Sequence, residues 1–442
     1  MSASRREFLK TATAVAGASF IPYWLPVDRT AAAESKSAND RLRAGCIGNG
    51  GMGSGDARAV RNFADIVAFC DVDRSHSERL HSDPKIGAGK GDIYDDYRKV
   101  LDRSDIDVVT ISTPDHWHTK IAIDALRAGK DVYCQKPLTL TIDEGKLLCK
   151  VLNETGRVFQ VGTQQRSDEK FQTAVALARA GRIGKIHRVT VAIGGAAQGS
   201  GFMKTQPPKE LDWERWLGQT PKVDYIPERC HKNFRWWYEY SGGKMTDWGA
   251  HHVDIAQWAL GFENTGPSTI EVLSCEHPQP LKNGWPTVDN AFNTAIRFNV
   301  RCQFPDGVEM FIRNEADDLG FTNGVMFEGD QGRYFVNRGK LTGAPVDALK
   351  DDPLPADALT ALRKGKPKDS HMGNFIACVR DRGPTQSDVF SHHRNLSTCH
   401  LANIAMRLGR TLTWDPVSEQ IVGDAEANAF LSRPQRQGYE VG

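Results

Sequence analysis

The lysine of a short Cys-Gln-Lys-Pro segment is the first residue whose position favours chemistry. Lys136 follows residues 131–134, whose apolar pattern predicts a buried parallel strand. In an open α/β sheet, ligands bind outside the carboxyl ends of the strands. We therefore expect the ammonium of Lys136 to point into a binding pocket, where it would bind a substrate hydroxyl and help to move its proton.

A second candidate group lies in the segment 242–254, which reads Gly-Gly-Lys-Met-Thr-Asp-Trp-Gly-Ala-His-His-Val-Asp. In a helix, Asp247, His251 and Asp254 would share one face, because residues four and seven apart are neighbours there. A carboxylate one turn from an imidazole can fix its tautomer or bind a hydroxyl beside it, so His251 is a candidate general base. Zinc binding is the alternative for this spacing, but no third ligand follows at motif spacing, and we predict no metal.

A glycine-rich turn follows the first apolar run, residues 42–47. The turn consists of Gly48, Asn49, Gly50, Gly51, Met52 and Gly53. In a dinucleotide-binding turn, the first glycine permits the bend, the second lets the backbone approach a pyrophosphate, and the third lets the next helix pack closely. The spacing alone is a weak signal, since a chain with 41 glycines produces it by accident.

An acidic residue downstream strengthens this interpretation. Asp71 ends a second apolar run, residues 66–70, and lies 23 residues after Gly48. This is the place of the carboxylate that binds the adenosine ribose in dinucleotide-binding domains. A carboxylate there would repel a 2′-phosphate, so the sequence favours NAD(H) over NADP(H) as the cofactor.

Other residues are predicted to lie near the same pocket. After the predicted strand at 106–112, the candidates for cofactor contact are Thr113, Pro114, His116 and His118. The candidates for stacking on a sugar ring are Trp236, Trp237 and Tyr238. Aromatic side chains are equally at home in a protein core, and that alternative stays open.

The surrounding elements alternate between strands and helices. Strands are predicted at 42–47, 66–70, 106–112, 131–134 and 158–163, and helices from about 119 and at 143–155. This alternation predicts a doubly wound parallel sheet, a Rossmann domain, over residues 40–164.

The periodicity changes after residue 165. A helix predicted at 167–180 is followed by longer strands, with Asp306-Gly307 as a hairpin signal between two of them. We therefore expect an α/β domain with a large, mostly antiparallel open sheet over 165–415, and a C-terminal tail over 416–442. Residues 199–240 are rich in aromatics and lack periodicity, which indicates a long loop near the substrate.

The composition limits the classes of function. The formal net charge is +1 and no basic stripe is present, which argues against a nucleic-acid partner. The nine cysteines are scattered and odd in number, which favours free thiols over a disulfide framework. No apolar run of 18 residues follows the first thirty, so no membrane partner is expected once those are removed.

The N-terminus has the features of an export signal. Residues 4–10 read Ser-Arg-Arg-Glu-Phe-Leu-Lys, a mildly apolar stretch follows to residue 25, and residues 31–33 are alanines. This order predicts a twin-arginine signal peptide over 1–33. Because that pathway exports folded proteins, we expect a periplasmic or otherwise exported protein that takes up its nucleotide before export.

Together, these motifs resemble the Gfo/Idh/MocA family (glucose–fructose oxidoreductase, inositol dehydrogenase, rhizopine catabolism) over about residues 42–408. The resemblance implies a Rossmann domain and an α/β domain whose open sheet often mediates oligomerisation, here as a dimer or tetramer. It also implies that Lys136 is the catalytic lysine, Asp247 the substrate-binding aspartate and His251 the catalytic histidine. The family's usual Glu is Gln135 here, whose amide can bind the cofactor but cannot balance the charge of Lys136.

The leading hypothesis is NAD(H)-dependent oxidation or reduction of a ring hydroxyl on a sugar, glycoside or polyol. Since no NAD pool exists outside the cytoplasm, an exported enzyme would hold its cofactor tightly and regenerate it in place. The alternative is a redox-neutral glycosidase or epimerase that acts through a transient keto-sugar. A non-catalytic dinucleotide- or sugar-binding protein is the third hypothesis, which the presence of Lys136, Asp247 and His251 argues against.

Overall fold

The computed structural model describes residues 41–442, so the signal peptide predicted at 1–33 lies outside the described residues. The strands of the first domain are β1 (Leu42–Ile47), β2 (Ala64–Cys70), β3 (Asp92–Tyr94), β4 (Val108–Ile111), β5 (Asp131–Cys134) and β6 (Phe159–Val161). They pair in parallel in the order β3-β2-β1-β4-β5-β6. This order confirms the predicted doubly wound sheet, although the short strand β3 was not predicted.

Helices connect these strands. They are α1 (Gly51–Arg61), α2 (Arg74–Ser82), α3 (Tyr97–Leu101), α4 (Asp115–Arg127) and α5 (Ile142–Thr155). Local signals set the ends of α5, because the Thr141 hydroxyl accepts a hydrogen bond from the backbone N–H of Glu144, and Gly156 ends the helix with a φ of +67°.

The second domain contains a nine-stranded sheet. The strands beyond β6 are β7 (Ile186–Ile193), β8 (Thr269–Glu276), β9 (Leu281–Lys282), β10 (Trp285–Pro286), β11 (Arg297–Gln303), β12 (Glu309–Arg313), β13 (Asn323–Gly329), β14 (Gly332–Val336), β15 (Leu341–Thr342), β16 (Leu412–Asp415) and β17 (Gln420–Ile421). The order is β15-β14-β13-β7-β12-β11-β8-β16-β17, and the pair β7–β12 is parallel while the other neighbours are antiparallel. The mostly antiparallel sheet and the hairpin at Asp306-Gly307, between β11 and β12, are therefore confirmed.

The helices of the second domain pack on one face of this sheet and extend to the first domain. They are α6 (Glu169–Arg179), α7 (Trp213–Leu217), α8 (Gly243–Asp247), α9 (Gly249–Leu260), α10 (Ala344–Asp347), α11 (Ala358–Leu362), α12 (His371–Asp381), α13 (Val389–Leu408) and α14 (Ala425–Asn428). The long helix α13 packs against both α5 and α9 and so joins the two domains.

The end of the chain returns to the Rossmann domain. Phe375 of α12 lies in the same apolar core as Ala44 of β1 and Phe69 of β2. In the predicted tail, Arg433 Nε donates to Glu144 Oε1 at 2.9 Å. Residues beyond 370 therefore complete the packing of a domain predicted to end at 164. Among residues 41–442, no helix combines the length and the apolar character needed to cross a bilayer.

Candidate active site

The glycine-rich turn is packed so closely that two of its glycines cannot carry a side chain. Gly48 has a φ of +83°, and a Cβ on it would lie 2.5 Å from the backbone of Ser112. A Cβ on Gly53 would lie 1.8 Å from the carbonyl oxygen of Gly48. Helix α1 begins at Gly51, at the wall of the cleft. A helix N-terminus behind a bare backbone turn is the cradle that a pyrophosphate requires, so these residues fit a dinucleotide.

Asp71 lies just beyond β2 and lines the same cleft. Its Oδ2 accepts a hydrogen bond from the backbone N–H of Asn49 at 2.7 Å, which ties the carboxylate to the turn. His76 Nδ1 lies 3.2 Å from the same oxygen, and this hydrogen bond raises the pKa of His76. The carboxylate stands where a dinucleotide's ribose hydroxyls bind in this fold, and its charge opposes a 2′-phosphate.

The cleft has a volume of about 500 Å³ and is lined by both domains. From the first domain it is lined by Gly48, Gly50, Gly51, Met52, Asp71, Thr113, Pro114, His118, Gln135 and Lys136, all of them predicted from the sequence. From the second domain and the tail come Trp216, His231, Arg235 and Tyr439, which were not predicted. The cofactor site is thus covered by segments that are remote from it in sequence.

Lys136 follows β5 and reaches across the domain boundary to α8. Its Nζ donates to Asp247 Oδ1 at 2.7 Å and to the Asp247 carbonyl oxygen at 2.8 Å. The side chains of this pair are only 8% and 13% exposed. An ammonium has three N–H donors, so one remains for a ligand oxygen. The bond between Lys136 and Pro137 is cis.

Positive charges keep Asp247 ionised. Burial by itself would raise the pKa of this carboxyl, but the charges of Lys136 and Arg235 outweigh burial and lower it to about 2. Arg235 Nε lies 3.4 Å from Asp247 Oδ1. The nearby carboxyl of Asp115 is only partly ionised at neutral pH, because burial raises its pKa to about 7.

His251 lies one turn beyond a break between two helices. Helix α8 ends at Asp247, Trp248 stands between the helices, and α9 begins at Gly249. Burial, followed by the positive charges of Lys136 and Arg338, lowers the pKa of His251 well below its ordinary value. Its Nδ1 is buried without a hydrogen-bond partner among the described residues. A neutral imidazole beside an ammonium–carboxylate pair can accept a proton.

The expectation that Asp247, His251 and Asp254 share one helix holds only for His251 and Asp254, which both lie on α9, and the charge of Asp254 reaches His251. The break at Trp248 separates Asp247 from the helix that carries Asp254. Arg166 Nε and Nη2 donate to the two oxygens of Asp254 at 2.7 and 2.8 Å, and Asn395 Nδ2 donates at 2.7 Å. Both ion-pair side chains are 1% exposed. Asp254 is therefore a buried structural anchor.

The two histidines after β4 differ in position, since His118 lines the cleft and His116 lies behind its wall. His116 Nε2 lies 2.8 Å from the Trp216 carbonyl oxygen, and the ring is fully buried outside the cleft lining. His118 has its Nδ1 2.7 Å from the Pro137 carbonyl oxygen and its Nε2 2.9 Å from that of Thr113. His118 thus links the loops after β4 and β5. His116 contacts the backbone of Trp216 instead of the cleft.

The three aromatic candidates are core residues. Trp237 is 0% exposed and packs under the Arg229 guanidinium at 3.9 Å. The Tyr238 hydroxyl lies 3.1 Å from His277 Nε2, on the far side from the cleft lining. Trp236 is 9% exposed and faces Lys244. Trp237 and Tyr238 therefore pack in the core instead of stacking on a sugar, and core packing was the alternative left open.

Gln135 pairs with a buried carboxylate. Its Nε2 donates to both oxygens of Asp56, at 3.0 and 2.8 Å, and the Ser112 hydroxyl donates to Asp56 at 2.6 Å. Burial raises the pKa of Asp56 to about 6. A glutamate at position 135 would face this carboxyl, which explains the amide here, and Lys136 finds its charge partner in Asp247 instead.

One further cluster lies at the ribose end of the cleft. Ligand atoms of Asp73, His76 and His231 lie within 4.8 Å of one another, close enough to hold a metal ion. His231 comes from the second domain and lies 3.3 Å from Asp73 Oδ2. Sequence spacing could not reveal this group, because His231 is remote from the other two along the chain.

Comparison with protein families matches both domains. Residues 42–163 match the family model described as "Oxidoreductase family, NAD-binding Rossmann fold", and residues 197–441 match the one described as "Oxidoreductase family, C-terminal alpha/beta domain". Both models carry the family name Gfo/Idh/MocA.

Curated relatives match over parts of their length. A glycosyl hydrolase family 109 protein of Shewanella pealeana is 34% identical over 163 residues, which are 33% of this chain and 36% of the relative. The scyllo-inositol 2-dehydrogenase (NAD(+)) of Bacillus subtilis is 28% identical over 231 residues, 52% of this chain and 56% of the relative. The matches thus span between about a third and about half of these relatives.

Solved structures share the fold. The WlbA dehydrogenase from Bordetella pertussis, titled as a complex with NADH and UDP-GlcNAcA, is 18% identical with a TM-score of 0.59, over 85% of this chain and 99% of its own. A putative myo-inositol dehydrogenase from Sinorhizobium meliloti is 19% identical with a TM-score of 0.54, over 84% of this chain and 99% of its own. At these identities the likeness shows the fold alone.

Proposed function

The chain belongs to the Gfo/Idh/MocA oxidoreductase family, and we propose that it oxidises or reduces a ring hydroxyl of a sugar, glycoside or polyol with NAD(H). The observation that carries this proposal is the Lys136–Asp247 pair, which lies beside His251 at the carboxyl end of β5. This is the edge of the sheet that also holds the dinucleotide turn and Asp71.

The residues of the chain supply the proton chemistry. In oxidation, the substrate carbon loses a hydride with its two electrons while its hydroxyl loses a proton, so that a carbonyl forms. The Gly48 turn and Asp71 would hold NAD⁺, which would supply the acceptor for this hydride. The remaining N–H of Lys136 donates to the substrate oxygen, and the ionised Asp247 holds Lys136 and a neighbouring hydroxyl. His251 accepts the proton, because its lowered pKa keeps it neutral at pH 7.

Two variants test these roles against a non-catalytic binding protein. Lys136→Ala and His251→Ala should each lower the turnover of an accepted sugar by about 10²–10⁴-fold, the usual contribution of a positioned acid or base. Nucleotide content, measured after denaturation, should stay close to that of the unmodified protein for His251→Ala. Unchanged turnover in both variants would favour a binding protein.

A redox-neutral reaction is the second candidate. Its motive is one relative named as a glycosyl hydrolase family 109 protein, whose match covers a third of this chain, whereas a relative that matches over half of the chain is named as a dehydrogenase. In such a reaction a transient ketone would permit elimination or epimerisation before the hydride returns. Product analysis separates the two candidates, since a stoichiometric keto-sugar supports net oxidation, whereas a cleaved glycoside or an epimer without net NADH supports the redox-neutral route.

We also propose that the protein is exported with its cofactor in place. The signal predicted at 1–33 motivates this, and a cleft that is lined from outside the Rossmann sheet as well, by Trp216, His231 and Tyr439, is compatible with a captive nucleotide. Mass spectrometry of the denatured, exported protein should find one equivalent of NAD(H). An empty protein that also fails to bind added NAD would contradict both proposals.

The oligomeric state stays a prediction. We propose a dimer or tetramer formed through the open face of the second sheet, where Leu273 of β8 is 46% exposed. Light scattering on the purified protein, compared with Leu273→Glu, tests it. A monomer in both would contradict the proposal.

A further inference from the structure

The side chains around Asp247 carry more positive charge than this carboxylate balances. Lys136 and Arg235 contact Asp247 at 2.7 and 3.4 Å. Lys244 and Arg338 also lie within its electrostatic reach. Within residues 41–442, no carboxylate lies within the 4.0 Å ion-pair distance of Lys244 or Arg338. Four cations therefore surround Asp247, and the other carboxyls in electrostatic reach are Asp168, which acts on Arg338, and Asp115, whose pKa is raised to about 7 by burial.

The two unmatched cations are held on one aromatic surface. Lys244 Nζ lies 5.8 Å from the ring centre of Trp248 and 5.8 Å from that of Trp236. Arg338 Cζ lies 4.6 Å from the ring centre of Trp248. The indole of Trp248 thus contacts a lysine from α8 and an arginine from the loop after β14. Two hydrogen-bond donors from separate parts of the chain therefore lie around one ring.

Partial removal from water without an anion is unfavourable for both cations. Lys244 is half-buried and Arg338 is exposed, yet the surrounding protein removes enough water from each to lower the pKa of Lys244 and of Arg338. Beside Arg338, a neutral group, the amide of Gln165, lies 3.1 Å from Nε. A cation that leaves water costs free energy unless it gains a partner, so an anionic ligand would offset this cost.

The cofactor does not supply that anion. Its pyrophosphate would bind at the Gly48 turn, as the bare backbone and the start of α1 require. The end that would reach Lys136 carries the nicotinamide, which is positively charged in NAD⁺. The excess positive charge beside Asp247 therefore remains for the substrate.

We infer that the substrate is an anionic carbohydrate, in which Arg338 and Lys244 bind a carboxylate, sulfate or phosphate group while Lys136 and Asp247 hold the reacting hydroxyl. This inference rests on the proposed function and specifies its substrate class. The planar guanidinium of Arg338 can bind such a group through two parallel hydrogen bonds.

Equilibrium binding tests the inference without depending on turnover. Isothermal titration of the full-length, NAD-loaded protein would compare glucuronate, glucose 6-sulfate and glucose 6-phosphate with glucose, and methyl glucuronide with methyl glucoside. At least one anionic sugar should bind tenfold or more tightly than its neutral parent, and raising the salt concentration should reduce this difference because salt screens exposed charges. The three anions distinguish a carboxylate from an ester of sulfate or phosphate.

Charge-removing variants locate the anion site. Arg338→Gln and Lys244→Gln should each lower the ratio of anionic to neutral binding constants by tenfold or more, and Arg338→Lys should retain part of it. Lys340→Gln removes a charge two residues from Arg338, at a side chain that lies over Phe335 instead of Trp248, and is the matched control that should keep the ratio. Thermal unfolding of each variant checks that it is folded.

The outcomes separate this inference from the proposed function. If neutral sugars bind as tightly as every anionic one, or if the ratio is the same in Arg338→Gln, Lys244→Gln and Lys340→Gln, the inference is overturned even where NAD⁺ is reduced. If an anionic sugar binds through Arg338 and Lys244 but is neither oxidised nor cleaved, the inference stands and the proposed activity fails.

Discussion

Asp247 and Asp254 lie seven residues apart, and each pairs with a cation, yet their surroundings differ. Asp254 is 1% exposed and receives both donors of Arg166 and the amide of Asn395. Asp247 is 13% exposed, and its partner Lys136 keeps a free donor beside a cleft. One ion pair is closed by its neighbours, whereas the other remains open to a ligand.

The comparison shows which property separates a structural charge from a functional one. The pKa of both carboxyls is lowered, because in each case nearby cations outweigh burial. The shift therefore does not distinguish them. The balance of charge distinguishes the two carboxylates. Asp254 faces one bidentate arginine, whereas Asp247 faces a cluster with unmatched cations. Substitutions of the buried and the exposed carboxylates test this distinction.

Removing Asp254 should affect stability most. Asp254→Ala leaves Arg166 buried with its main partner gone, which should cost about 3–5 kcal/mol in the free energy of unfolding. Urea denaturation of the purified protein measures it. A midpoint equal to that of the unmodified protein would show that Arg166 finds another partner, and the distinction from Asp247 would collapse.

Removing the charge of Asp247 should affect activity more than stability. Asp247→Asn keeps the size of the side chain but leaves Lys136 and Arg235 without their anion, and kcat/KM should fall by about 10²–10⁴-fold. The loss of stability should be less than half of that in Asp254→Ala, because water and ions reach the cleft. Steady-state rates and urea midpoints on the same sample decide this, and a folded, fully active variant would contradict the role given to Asp247.

Asp56 extends the comparison to a buried carboxyl that forms no ion pair with any residue from 41 to 442. Burial raises its pKa from 3.8 to about 6, so the folded protein holds a proton that the unfolded chain releases. Stability from this group is therefore present below pH 4 and is lost as the pH rises through 6, by about 3 kcal/mol at most. Relative to Asp56→Asn, the unmodified protein should lose stability between pH 4.5 and 7.5. Parallel pH profiles of the urea midpoints would contradict this.

An exposed ion pair should contribute least. Arg41 Nε and Asp65 Oδ1 are 2.8 Å apart, but their side chains are 49% and 63% exposed. Asp65→Asn should therefore change the free energy of unfolding by about 0–1 kcal/mol. Asp65→Asn is the control for the loss of a carboxylate at an exposed position. If it destabilised the protein as much as Asp254→Ala does, burial would not explain the large effect expected for Asp254.

Local patterns predicted much of the fold. The glycine turn, the carboxylate after β2 and the Asp306-Gly307 hairpin depend on residues close together in sequence, and the alternation of strands and helices gave the parallel sheet. The strand β3 was missed because three residues, Asp92–Tyr94, form no recognisable pattern. The helix break at Trp248 was missed because nothing in a run of helix-compatible residues marks it.

The site was predictable only where it follows a strand end. Lys136 and Asp71 were found because parallel strands bring their carboxyl ends to one edge of the sheet. His231 reaches the cleft, and Arg338 reaches Trp248 next to Asp247, from distant parts of the second domain, and no spacing relates either to Lys136. Trp237 and Tyr238 were assigned to a sugar site by residue type, but type does not distinguish a ligand surface from a core.

A single-turnover experiment shows whether the chemistry takes place at the Asp247 cluster. NAD⁺-loaded protein is mixed with excess glucuronate or with one of the neutral sugars, and absorbance at 340 nm reports hydride transfer to the bound cofactor. We expect up to one equivalent of NADH with at least one sugar in the unmodified protein, and a rate lower by about 10²–10⁴-fold in folded Asp247→Asn. Equal rates in the two proteins would contradict the role given to Asp247, because the chemistry would then take place elsewhere.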